Sequence, residues 1–143
     1  MPAQFDSFGL RFLYPDNWTV AQRDEEDGNT GMTLDLPEGG FFSVETAVTS
    51  EPAELIEELA VAIASEYEDP ERESISLELL PDAPATDLRF YYLDLLIICR
   101  IVVFRQEEDR DSLVIQMQAE SREFDKNEPV FDAILKQIVD NVG

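Results

Sequence analysis

The chain contains no histidine, a single cysteine, two lysines and no apolar run long enough to cross a bilayer. Without histidine the commonest general base is missing, and with it every Ser–His or Cys–His nucleophile pair and every His-containing zinc site. The lone thiol, Cys99, excludes an internal disulfide and a Cys-x-x-Cys motif. Set within LLIICRIVVF, it reads as a small core residue. Lys126 and Lys136 stand with eight arginines against 32 acidic residues, for a net charge of −22. A surface of that sign repels phosphate backbones and anionic leaflets, which argues against nucleic acid and membrane as partners. The longest unbroken apolar stretch around Leu95 to Cys99 falls far short of the roughly 20 residues of a spanning helix. MPAQFDSFG offers neither the basic nor the apolar region of a secretory signal, so a cytoplasmic location is expected. Neither a Walker-type phosphate loop nor G-x-G-x-x-G occurs, and Gly28, Gly31, Gly39 and Gly40 read as turn residues. The protein is therefore expected not to be an enzyme and to need no cofactor.

What is present is a domain-sized chain of 143 residues, 44% of them hydrophobic, enough to bury a core over residues 1–143. Phe8, Leu10, Phe12 and Tyr14 alternate with Gly9, Arg11 and Leu13 as a strand with one apolar face; Pro15 stops it, and Trp18 leads a second. Met32, Leu34 and Leu36, then Phe42, Val44, Thr46 and Val48, read as a hairpin across Pro37-Glu38-Gly39-Gly40. From Ser50, a candidate N-cap, the period changes. Ile56, Leu59, Ile63 and Tyr67 recur at helical spacing, predicting a helix that ends before Pro70. Strands follow at Ile75–Leu79, halted by Pro81 and Pro84, and at Leu88–Tyr92. Leu95 to Phe104, apolar on both faces apart from Arg100, predicts a central strand covered on both sides. Another strand spans Leu113 to Ala119, and a closing helix carries Val130, Phe131, Ile134, Leu135, Ile138 and Val139, capped by Asn127 or Asp125 near Pro129. Short connections between strands predict an α+β fold: a mainly antiparallel sheet flanked by helices.

The segment FLYPDNW, Phe12 to Trp18, the strand-rich middle and the closing FDKNEPVFDAILKQIV together resemble the PsbP-like superfamily, which includes the Ran-binding Mog proteins. The resemblance implies an α/β/α sandwich and a docking or accessory role, not catalysis. Ran binding by the Mog relatives uses acidic surface, which suits the charge of this chain. No individual binding residue carries over.

Carboxylates are the plentiful chemical groups. Residues 1–73 hold 18 acids against 3 bases, and residues 74–143 hold 14 against 7. Within the more negative half, Glu51, Glu54, Glu57, Glu58, Glu66 and Glu68 surround the apolar stripe of the first helix. They read either as an ordinary solvated face or as an electrostatic docking surface for a basic protein partner. Asp24, Glu26 and Asp27 form a carboxylate loop that superficially invites a hard cation, but the glycine and distant Glu of an EF-hand are missing. Phe41 and Tyr91 fall opposite the apolar faces of their strands, which places them under a helix or in a groove. If the two strands pair in register, Arg89, Tyr91 and Arg100 share one face, and the alternative reading is a ligand-binding or enzymatic pocket built on them. A monomer or a weak dimer is expected at this net charge.

Overall fold

The structure, a computed structural model, describes residues 2–7, 9–24, 30–47, 51–106 and 112–142, with the backbone alone at 22–24, 30, 141 and 142. Seven strands form one antiparallel sheet: β3 (Thr19–Asp24), β4 (Thr30–Asp35), β5 (Phe41–Ala47), β9 (Ser112–Glu120), β8 (Leu95–Phe104), β7 (Leu80–Tyr92) and β6 (Glu71–Leu77), in that spatial order. A separate hairpin pairs β1 (Pro2–Ser7) with β2 (Leu10–Pro15). Helix α2 (Ser121–Val142) covers one face of the sheet and this hairpin packs against α2; α1 (Pro52–Ala64) packs on β7 and β8 from the other face.

Strand alternation fixes the faces. Phe42 and Val44, Leu113, Ile115, Met117 and Ala119, and Ile98, Val102 and Phe104 turn toward α2, where they meet Phe131, Ile134, Leu135 and Ile138. Cys99, Ile101 and Val103, with Leu88 and Phe90, turn toward Ile56 and Ala60 of α1. β8 is thus central and buried on both sides, as a sequence apolar on both faces apart from Arg100 requires. The β4–β5 connection needs glycine: at Gly40 (φ +96°) an added Cβ would lie 2.5 Å from the carbonyl oxygen of Gln118. The β1–β2 hairpin is tied to α2 by Gln137, whose Nε2 donates to Leu13 O at 3.2 Å while its Oε1 accepts from Leu13 N at 2.8 Å.

Four of the departures from what the sequence predicts have a local cause. β1 has one deeply buried side chain, Phe5, so no period marks it. α1 ends at Ala64, three residues before Tyr67, and Glu51 occupies its N-cap; Ser50 lies outside the described residues. Pro81 and Pro84 do not stop a strand but lie within β7. They precede Ala85, where pairing with β8 begins, and sit beside the register shift against β6, so no ladder hydrogen bond is lost for want of their N–H. α2 begins at Ser121, not near Pro129. The Glu120 carboxylate accepts from Arg122 N at 2.9 Å and Glu123 N at 3.3 Å, performing the cap sought at Asp125 or Asn127. Asn127 instead donates its side-chain amide to Glu123 O at 2.8 Å. Pro129 sits inside the helix, and the carbonyl it leaves without a donor belongs to exposed Asp125, where water can reach it.

Candidate docking surface

Helix α1 forms because Ile56 and Ala60, with Leu55, Leu59 and Ile63 beside them, line one side at three- and four-residue spacing. Pro52 suits its first turn, where no N–H partner exists to be lost. The opposite side carries the carboxylates. Glu51 is at the N-cap, Glu54, Glu57 and Glu58 are exposed on the helix, and Glu66 and Glu68 stand exposed in the turn beyond its end. The six predicted glutamates therefore form a band along the outside of α1 and its exit.

One member of the band is already neutralised. Arg72 of β6 reaches across to Glu57 at 2.6 Å. That hydrogen bond, ahead of the opposing effect of burial, holds the Glu57 carboxyl below the usual range. Glu54, Glu58, Glu66 and Glu68 pair with no basic side chain among the described residues. On the other sheet face the β6 carboxylate of Glu73 takes Arg89 at 3.3 Å.

Arg89, Tyr91 and Arg100 do share one face, because Asp87 pairs with Arg100 and Arg89 with Ile98 across β7 and β8. None of the clefts described among these residues is lined by all three. Arg100 Nε and Nη2 donate to the two carboxylate oxygens of Asp87 at 2.9 and 3.2 Å, and Nη1 donates to Glu128 of α2 at 2.8 Å. Its guanidinium also lies 5.1 Å from the centroid of the Phe124 ring. Burial alone would lower the pKa of this group; the bonds and charges of Asp87, then Glu128, reverse that and leave it raised. Arg100 borders a cleft of about 620 Å³ between residues 75–79 and α2, in whose walls neither Arg89 nor Tyr91 takes part. Asp87 and Glu128, which complete this network, carry no local sequence signal. Tyr91 is not beneath a helix but exposed, and Phe41 lies half-buried on strands that α1 does not cover.

Asp24 ends β3, its side chain and all of Glu26 and Asp27 lie outside the described residues, and among the described residues no three potential metal ligands cluster. Cys99 is buried, accepts a long hydrogen bond from Gln116 Nε2 at 3.4 Å, and has its thiol pushed up to about 12 by burial. Iodoacetamide at pH 8 is expected to modify it at least ~100-fold more slowly in the folded protein than in guanidinium, because the thiolate is the nucleophile. Comparable rates by mass spectrometry would show a thiol open to solvent.

Among the described residues no helix is long and apolar enough to cross a membrane. No protein-family model and no curated protein matches the sequence. Solved structures do. The Ran-binding protein Mog1p of Saccharomyces cerevisiae superposes with a TM-score of 0.55 at 9% identity, over 99% of this chain and 92% of that one. Cyanobacterial PsbP from Synechocystis sp. PCC 6803 gives 0.53 at 12% identity, over 95% and 90%. PA94, a Pseudomonas aeruginosa protein of unknown function described as a putative regulator, gives 0.47 at 12%, over 94% of each chain. At such identities what is shared is the fold: a mostly antiparallel sheet with helices on its faces, arranged as in PsbP and Mog1p.

Proposed function

We propose that this protein is a non-catalytic, cytoplasmic binding domain, occupying residues 1–143, that docks a basic protein partner through the acidic band of α1 and the turn after it. The observation that carries the proposal is the run of exposed Glu54, Glu58, Glu66 and Glu68 along one helix and its exit, unmatched by basic side chains among the described residues. A solvated helix needs polar groups but not a single sign of charge. Such a surface attracts a partner of opposite sign and raises the rate of encounter more than the lifetime of the complex. A fold shared with a Ran-binding protein is in keeping with a docking role. The same charge opposes self-association, so the free protein is a monomer or a weak dimer at low salt.

Reversing four charges, in the variant E54K/E58K/E66K/E68K, is expected to slow association with short Lys-rich peptides by about tenfold or more at low ionic strength. The difference should shrink in high salt as the charges are screened. Surface plasmon resonance at two salt concentrations reads both. Association that is equally fast for both proteins at low salt would sink the proposal.

A further inference from the structure

Tyr91, Tyr92, Leu93 and Leu95 are 69%, 56%, 79% and 51% exposed at the tip of the β7–β8 hairpin. Leu93 (φ 50°) and Asp94 (φ 65°) both occupy the left-handed region. Two-residue hairpin turns of this kind favour Asn-Gly or Asp-Gly, since a larger side chain is strained there. Leu93 thus neither packs nor suits its backbone, and folding gives no reason for it. The tip is nevertheless held firmly at its base. Tyr67 stacks on Phe90 with centroids 3.8 Å apart and meets Tyr92 edge-on at 6.3 Å. Because Tyr67 is flanked by exposed Glu66 and Glu68, this stack sets the distal end of the acidic band beside the apolar tip, and Asp94 adds a carboxylate on the turn itself.

We infer that the β7–β8 hairpin tip is the apolar anchor of the docking surface, and that its occupant is a protein segment that carries both apolar residues and Lys or Arg. The inference rests on the docking reading above and names the chemistry of the partner. Apolar side chains at the centre of a contact supply most of its affinity once desolvated, while a charged rim selects and steers. Here the rim is acidic, so a basic partner fits. A second copy of this chain would press the same carboxylates against themselves, at a net charge of −22 on each molecule.

The test uses short synthetic peptides in which Lys/Arg content and Leu/Phe content vary independently, titrated by fluorescence anisotropy against the wild type, L93N/L95S and E66K/E68K. Peptides both basic and apolar should bind the wild type best, and L93N/L95S should weaken them by about tenfold or more. If L93N/L95S binds them as the wild type does while E66K/E68K does not, the anchor is refuted and the docking reading stands. If no basic peptide binds at low salt, both fall. Affinity that follows apolar content alone, or a wild-type dimer in sedimentation that L93N/L95S dissolves, would overturn the assigned occupant. Single L93N should melt at least as high as the wild type, because Asn tolerates a positive φ; a lower melting temperature would give Leu93 a folding role and overturn the inference.

Discussion

Arg100→Met is expected to destabilise the protein by about 3–5 kcal/mol, because it strands a buried carboxylate. The Asp87 side chain is 5% exposed and Arg100 13%, so the aspartate loses both guanidinium donors in a place where water cannot replace them. Glu128, 40% exposed, can turn to solvent and contributes less to the loss. Removing both charges is a different matter. R100M/D87L should recover most of the stability, since a well-packed apolar pair often equals a buried ion pair. Urea unfolding of the two variants and the wild type measures the difference. A pocket in which Arg100 waits for a ligand carboxylate predicts the reverse order, with R100M as stable as the wild type or more so. Observing that order would return Arg100 to the list of ligand-binding residues.

Phe131→Ala should cost a comparable ~3–5 kcal/mol, by a different route: a cavity in the larger core. Phe131 is fully buried, and its ring lies 5.8 Å from that of Trp18, 6.0 Å from Phe42 and 5.5 Å from Phe124. These partners come from the turn before β3, from the sheet and from α2 itself, so no single one can move in to fill the space. Against a total stability of roughly 5–15 kcal/mol for a domain, such a loss is large. Thermal unfolding followed by the emission of Trp18 should show a melting temperature lower by about 10 °C. A loss below ~1 kcal/mol would mean that the site collapses and that α2 is held mainly elsewhere.

Much of the architecture is legible because burial is written in short periods. Phe42 and Val44 alternate, Leu113 to Ala119 alternate, the apolar stretch from Leu95 is two-sided, and Phe131, Ile134, Leu135 and Ile138 recur at helical spacing; each meets the face its period demands. Elements whose cause is not periodic are illegible. β1 rests on pairing with β2 and on Phe5 stacked against Phe12 at 5.2 Å. The start of α2 rests on a glutamate acting as cap, a role the usual Ser, Thr, Asp and Asn preference does not announce. β7 runs through two prolines because its neighbours there need no N–H.

For the surface the division is sharper. Sequence alone determined the sign of the charge, the absence of histidine chemistry, the carboxylate-rich first helix and the strand character of most of the chain, since each depends on composition or on neighbours a few residues away. Only the tertiary structure decided that Arg100 is held by Asp87 and Glu128, that Arg72 reaches Glu57, and that Tyr67 braces a hairpin tip beside Glu66 and Glu68. Those contacts depend on the order of strands in the sheet and on which helix crosses which strand. A period of two or of 3.6 residues says which side of an element is buried; it does not say what lies on the other side of the core.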